Sequence, residues 1–394
     1  MRIAVVSSVF IPDLGYLEEG LARVLSGMGH EVHVFASSHY PVNYKGNTKI
    51  PFQKNQIVQL VNTKTVYSIS RLETLVKFGS NIICRGLKRS LIASQPDLVI
   101  LVGVSDFFPI TLINRSFCST NRVYAFIGQN YDMGHWKSTN SFWRRILSYI
   151  INRVVKAFIF RRSINHLKKL IFYTPDTKEI VEKILPSKQI SVLHNKLNVV
   201  SLGYNSDDFY FNNESRNIIR SKYKIASDQV VIITVTRVDR SKKILEIIDG
   251  LFLSARINAV YIIIGFIENR YKREIEDIIK AYNLEEKIIC LPFLSNNLLN
   301  DYYSAADFGI WYQSSASIQQ AMGAGLPVFL KKNTTTSLLL NERFNGYYID
   351  SNLGKILKPL ISEYSFSPEK RKEIEDYNVK RFSYQSILRN LLIE

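Results

Sequence analysis

Residues 307–330 read DFGIWYQSSASIQQAMGAGLPVFL, and the reading of the whole chain turns on them. Residues 308–312 are a short apolar run of strand formers, 313–317 are small and polar, and 318–324 have helical spacing. Gly325-Leu326-Pro327 then breaks the helix ahead of a second strand at 328–330. The order is strand, polar turn, short helix, strand. Ser314, Ser315 and Ser317 fall at the helix N-terminus, where unpaired amides and the positive dipole end suit an anion such as a diphosphate. Serine hydroxyls can donate to the same ligand. The same serines would equally serve as simple caps in an ordinary α/β domain.

Working outward, 394 residues at about 150 per domain predict two domains, each with its own core. A hydrophobic content of 46% is that of a globular chain. Cys84, Cys118 and Cys290 are odd in number and far apart, which fits a reducing cytosol without a disulfide framework, and no zinc-ligand spacing occurs. The longest uncharged apolar runs, such as 259–267, are about half of the ~20 residues a membrane span needs. Residues 2–6 are apolar, but Asp13 and a helical pattern follow, so they read as a first strand and not a signal peptide. A net charge of +17, from 51 basic and 34 acidic residues, favours a polyanionic partner: nucleic acid, an anionic membrane face or a phosphorylated substrate.

Residues 2–8 suit a buried parallel strand; a loop through Pro12 and Gly15 leads to a helix with Leu17, Leu21, Val24, Leu25 and Met28 on its apolar stripe. Gly29-His30 ends it, and 31–37 supply the next strand. This βαβ unit has a glycine loop where open α/β sheets bind ligands, but it lacks GxGxxG, so a dinucleotide fingerprint is not supported. Residues 40–80 read as polar and irregular, 82–92 as a helix, 97–104 as a buried strand. A further strand, 122–128, ends in Gln129-Asn130-Tyr131-Asp132, polar groups placed to line a cleft or simply to make a loop.

Residues 142–170 carry eight basic residues and no acid, interleaved with aromatics. Arg145, Arg153 and Lys156 share one helical stripe, which suits either an anionic membrane surface or a solvated helix face. No nucleic-acid-binding signature accompanies the charge. Residues 202–209, LGYNSDDF, form the best interdomain linker, and beyond them βα alternation restarts through strands at 230–236, 259–265 and 287–291. Alternation in both halves predicts two doubly wound domains. In VTRVDRSKK, Arg237 and Lys242 follow a strand, and two cations at a strand-to-helix turn can hold a diphosphate opposite the serine-capped helix, arginine by forked hydrogen bonds and lysine as a point charge.

These pieces together resemble the GT-B glycosyltransferases of retaining family 4 over nearly the whole length. GYLEEGLARVLSGMGHEVHVFAS (15–37) resembles that family's glycine loop, helix and "GHEV" strand; LGYNSDDF resembles its interdomain signature; the step from Arg237 to Lys242 matches its paired phosphate-binding cations; AADFGIW and QAMGAGLPV resemble its "adv" strand and "EAMA.GlPV" element. The resemblance implies an α/β GT-B fold of two doubly wound, Rossmann-like domains facing each other across a cleft. The N-terminal acceptor domain would span 1–205, with a C-terminal helix at 380–394 crossing back onto it, and the nucleotide-sugar domain 206–379. It implies catalytic roles for Arg237 and Lys242, and donor contacts from Gly15, Tyr16, Gln129, Ser315, Ala316, Ser317 and Gln320. Acceptor contacts would come from Asn130, Asp132 and His135. No metal or other cofactor is expected, since the cations stand in its place and no DxD aspartate pair occurs.

The chain departs from the family at two places. The two family glutamates fall on Tyr312 and Gln320, and the family's cleft histidine falls at about Gln129. A retaining front-face transfer relies mainly on stabilising the leaving diphosphate, which the two cations and the helix dipole supply. The sequence thus predicts a cytosolic glycosyltransferase, peripheral to the inner membrane face, acting on a nucleotide sugar and a glycan or lipid-linked acceptor for cell-surface polysaccharide or glycolipid. The alternative is a GT-B-shaped protein that binds a partner glycosyltransferase or glycan without turnover.

Overall fold

The computed structural model describes residues 1–12, 16–39, 55–59, 66–78, 81–103, 107–127, 158, 161, 164–266, 270–349 and 353–392. The chain divides into two compact units, Met1–Ser201 and Leu202–Glu394.

The first unit is built on an eight-stranded sheet. Its strands are β1 (Arg2–Ser7), β2 (Glu31–Ser37), β3 (Asn55–Gln59), β4 (Val66–Leu72), β7 (Leu98–Val102), β8 (Val123–Ile127), β9 (Lys169–Phe172) and β10 (Leu197–Val199), in the order β10-β9-β8-β7-β1-β2-β4-β3. All pairings are parallel except β3 on β4. β1 and β7 take the centre because runs such as IAVV and LVILV are buried on both faces. Helix α1 (Leu17–Gly27) buries Leu21, Val24 and Leu25, the stripe its spacing predicts.

Between residues 40 and 85 the fold differs from the sequence reading. The stretch read as irregular contains β3, β4 and β5 (Thr74–Phe78), and a fourth strand, β6 (Asn81–Cys84), takes up residues 82–84 of the stretch read as a helix and pairs antiparallel to β5. In β4 the alternation VYSISRL sends Tyr67, Ile69 and Arg71 inward, a period of two that the surrounding polar residues obscure. In β6 the run Ile82-Ile83 faces two ways, Ile82 into the core and Ile83 outward, and helix α2 (Leu87–Ser94) begins only after Gly86, which takes a φ of 78°.

The second unit holds β11 (Val230–Val235), β12 (Ala259–Phe266), β13 (Ile288–Pro292), β14 (Phe308–Trp311), β15 (Val328–Lys331) and β16 (Gly346–Ile349), all parallel, in the order β13-β12-β11-β14-β15-β16. Counting β11 as first, this is the doubly wound order 3-2-1-4-5-6, whose direction of winding reverses between β11 and β14. Ligands in such sheets bind outside the carboxyl ends of the two strands at that reversal.

Asp307 sets the register there. Its amide donates to the Val231 carbonyl at 2.7 Å, and its Oδ2 accepts from the Val231 amide at 2.7 Å. Two arginines of helix α3 (Asn213–Lys222) close on the same carboxylate, Arg216 at 2.7 Å and Arg220 at 3.3 Å, all three side chains buried. The helix expected at the C-terminus, Tyr384–Leu392, is present and groups with the second unit, where the Tyr384 amide donates to the Tyr204 carbonyl at 2.8 Å.

Candidate functional site

The crevice between β11 and β14 is drawn together at one carbonyl. Val235, the last residue of β11, accepts from Trp311 Nε1 at 3.1 Å and from Ser317 Oγ at 2.5 Å. Ser317 opens helix α5 (Ala316–Gly323), which follows helix α4 (Asn296–Ala305) in the chain, so this carbonyl ties the start of α5 to the end of β11. The Ser317 hydroxyl is buried and engaged within the protein, 2.8 Å from Ser315 Oγ. Ser315 occupies the cap position without a side-chain cap bond, and Ala316 is exposed, so the first-turn amides of α5 have no capping side chain. Gln320 lies one turn further on, half-buried.

The cations arrive from the other side. After β11, Asp239 caps the short turn Arg240–Lys242: its Oδ1 accepts from the Ser241 amide at 2.9 Å and from the Ser241 hydroxyl, and its Oδ2 from Arg237 Nε at 3.3 Å. Lys242 Nζ then donates across the crevice to Gln313 Oε1 at 3.4 Å. The turn after β11 and the turn after β14 therefore meet at Lys242 and Gln313.

Neighbouring charges are sorted. Arg240 is held by both oxygens of Glu274, at 2.5 and 2.6 Å, and Lys243 by Glu246 at 2.7 Å. Among the described residues Lys242 has no carboxylate at ion-pair distance. Burial pulls its pKa below the usual lysine range, with Arg237 adding to the shift and Asp239 opposing it. Burial raises the Asp239 carboxyl, but hydrogen bonds from Ser241 and Arg237 outweigh it and leave the pKa below the ordinary value. A cation facing a neutral amide and a helix start without a capping side chain are groups able to bind a polyanion.

Residues that the sequence reading missed hold these groups in place. Helix α6 (Pro368–Phe382) sends the buried Arg371 guanidinium onto the carbonyls at the C-terminal ends of two helices, Tyr303 of α4 at 3.1 Å, Ala306 just after it at 2.6 Å and Ala324 after α5 at 2.8 Å. Asn378, one face along α6, donates to Met322 O at 2.8 Å. Both pin the C-terminal end of α5, away from Ser315 and Ala316. Asp239 had a legible signal, an Asp two residues ahead of Ser241; Arg371 and Asn378, far along the chain, had none.

Gly265 positions the loop that carries Arg237. It has a φ of 110°, and a Cβ there would sit 2.0 Å from the Thr236 carbonyl oxygen. Gly265→Ala is expected to cost about 2 kcal/mol or more from strain and clash combined, and to weaken anion binding by displacing Thr236-Arg237. Urea unfolding checks the first, with Gly29→Ala as comparison: Gly29 has a φ of 85° with nothing within 4 Å of its Cβ position, so only the conformational term applies.

Where the family has its first glutamate, Tyr312 packs partly buried against an apolar core cluster of the second unit. In the first unit, Tyr16 is the exposed N-cap residue of α1. Behind it, in the first turn, burial pushes the Glu18 carboxyl up to about 7, against the lowering effect of a backbone hydrogen bond and with a further rise from Glu19. This places a carboxyl that changes protonation near neutrality beyond the carboxyl end of β1, and the sequence reading did not single it out. Gly15, Gln129, Asn130, Asp132, His135, Arg145, Arg153 and Lys156 lie outside the described residues. No cluster of three or more metal-ligating side chains occurs among the described residues.

Residues 215–381 match the family profile described as glycosyl transferases group 1. The match lies wholly within the second unit. The matched span holds the whole crevice, from Arg216 to Arg371. An alpha-monoglucosyldiacylglycerol synthase of Acholeplasma laidlawii is 24% identical over 196 residues, 47% of this chain and 47% of that one, so the match spans about half the length of that relative. Among solved structures, the Anabaena protein HepE in complex with UDP is similar with a TM-score of 0.67 at 15% identity, covering 99% of each chain. Sucrose-phosphate synthase of Thermosynechococcus elongatus gives 0.64 at 15% identity, covering 99% of this chain and 97% of that one. The fold is that of the GT-B glycosyltransferases.

Proposed function

We propose that the protein is a glycosyltransferase that moves a sugar from a nucleotide-sugar donor to a glycan or lipid-linked acceptor in the synthesis of a surface polysaccharide or glycolipid. The observation that carries this reading is the meeting of Lys242 with Gln313 across the winding reversal, beside the uncapped start of α5. A pyrophosphate there would gain charge from Lys242 and Arg237 and amide hydrogens from Ala316 and Ser317, the interactions that stabilise a diphosphate as it leaves the anomeric carbon. The transfer would proceed with retention, at the front face, with these groups supplying the positive charge and no side chain acting as nucleophile. The solved relative HepE binds UDP, and the named curated relative makes a glucolipid, which together favour a uridine nucleotide and a lipid acceptor.

Nucleoside diphosphate binding tests the reading. Saturating UDP, ADP or GDP is expected to raise the melting temperature for at least one base; no shift with any of them sinks the proposal. Binding carries a pH signature. The anion needs Lys242 protonated, and the Lys242 pKa lies below the ordinary ~10.4. Affinity should therefore fall as pH rises through that lowered value, earlier than for an exposed lysine, and Lys242→Arg should move the fall to higher pH in titration calorimetry.

A second reading, a GT-B protein without turnover, is favoured by Tyr312, whose ring packs against the core at the position where the family carries a carboxylate. It predicts nucleotide binding without transfer or hydrolysis of any donor sugar.

A further inference from the structure

The hairpin β5–β6 is a two-stranded sheet separate from the eight-stranded one, with aliphatic side chains on each of its faces. Its register pairs Val76 with Ile83 and Thr74 with Cys84, with an irregularity between Thr74 and Val76. The inner face is accounted for: Ile82 is buried, Cys84 packs against the core of the first unit, and Thr74 Oγ1 lies 3.7 Å from Cys84 Sγ. The outer face is not. Val76 and Ile83 are 54% and 38% exposed, and Leu75 at the irregularity is 58% exposed. An isolated hairpin gains little stability alone, and three adjacent exposed aliphatic side chains on one are a cost unless something covers them.

Charge indicates what covers them. From Thr74 to Pro96 the chain carries Lys77, Arg85, Lys88 and Arg89 and no acid, and all four are exposed. Ile92, one turn beyond Lys88 on α2, is 54% exposed. Exposed aliphatic side chains with cations close by in the chain are the chemistry that partitions into the headgroup region of an anionic bilayer. The place in the fold is also informative. β4 runs parallel to β1 and β2, so the hairpin that follows it, after Glu73, stands at the carboxyl edge of the sheet, the edge where α/β sheets bind their ligands. His39, beyond the end of β2, lies near Lys77; burial lowers its pKa and the lysine charge lowers it further.

We infer that the β5–β6 hairpin is a docking surface for an anionic lipid bilayer, entered by Leu75, Val76 and Ile83 and held by Lys77, Arg85, Lys88 and Arg89. The purpose of docking rests on the lipid-linked acceptor proposed above, whose headgroup it would bring to the ligand edge of the first unit. The binding itself does not depend on that reading.

Flotation of the full chain with vesicles of equal parts phosphatidylglycerol and phosphatidylcholine, at low salt, tests it. The protein should float with these vesicles and remain behind with phosphatidylcholine alone. The variant Leu75→Ser, Val76→Ser, Ile83→Ser should bind at least about tenfold more weakly. Charge reversal at Lys77, Arg85, Lys88 and Arg89 should cost about a hundredfold or more. Val76→Trp should be quenched by brominated lipid. Thermal stabilisation by nucleoside diphosphate should be unchanged in each variant, which shows that they fold and separates failure here from failure of the donor-site reading. No binding by the unmutated chain overturns the proposal. So does undiminished binding by the serine variant, which would assign the membrane contact elsewhere, including residues 142–170. Binding without quenching of the tryptophan overturns insertion, and a dimer abolished by the serine substitutions would assign the face to a second copy.

Discussion

Asp307→Asn is expected to destabilise the second unit by about 3–5 kcal/mol, the cost of leaving buried charge without its partner. The amide keeps the shape of the carboxylate but offers one accepting oxygen where two now serve Arg216, Arg220, the Val231 amide and the Tyr364 hydroxyl. Its –NH₂ would face a guanidinium or a backbone amide, donor against donor. Burial already lowers the Arg220 pKa, with Asp307 raising it and Arg216 lowering it again, so removing the carboxylate leaves two cations repelling each other in the interior. Differential scanning calorimetry should show a fall of roughly 10 °C for a unit of this size. Asp376→Asn, an exposed helix pair with Lys372, is the control and should change stability by less than ~1 kcal/mol. A fall no larger than the control's would mean that the carbonyls of Ala305 and Ala306 satisfy the arginines alone.

Lys242→Ala should weaken nucleoside diphosphate binding by about 10–100-fold while leaving the melting temperature of the free protein nearly unchanged, the range set by one charge-assisted contact in a half-enclosed site. Arg237→Ala should cost less, because that side chain is 64% exposed and already shared with Asp239. The order of the two matters as much as their size. Equal losses would mean that the ligand sits outside the crevice, nearer bulk solvent; no loss from Lys242→Ala would remove the site from this crevice altogether. Titration calorimetry at moderate ionic strength distinguishes these outcomes, since screening suppresses the exposed contribution first.

The elements forming the candidate site were legible because they are local. Strand, turn and helix in 307–330 lie within a few residues of one another, and the cations follow β11 directly. What the sequence hid depends on pairing at a distance. β4 and β6 were missed because seven and four residues of mixed pattern do not outweigh polar surroundings until β2 and β5 supply partners. The role of Ser317 changed for the same reason: a hydroxyl at a helix start reads as a ligand donor until the Val235 carbonyl is seen beneath it. Asp307 was noted only as part of a strand motif, since the two arginines it balances lie about ninety positions earlier.

Arg371 has a consequence for how the second unit moves. Its guanidinium joins the carbonyls of Tyr303 and Ala306 to that of Ala324, and Asn378 holds Met322 from the same helix. If α4 or α5 slid away alone, a buried guanidinium would lose its acceptors, so α4, α5 and α6 should travel as one rigid block.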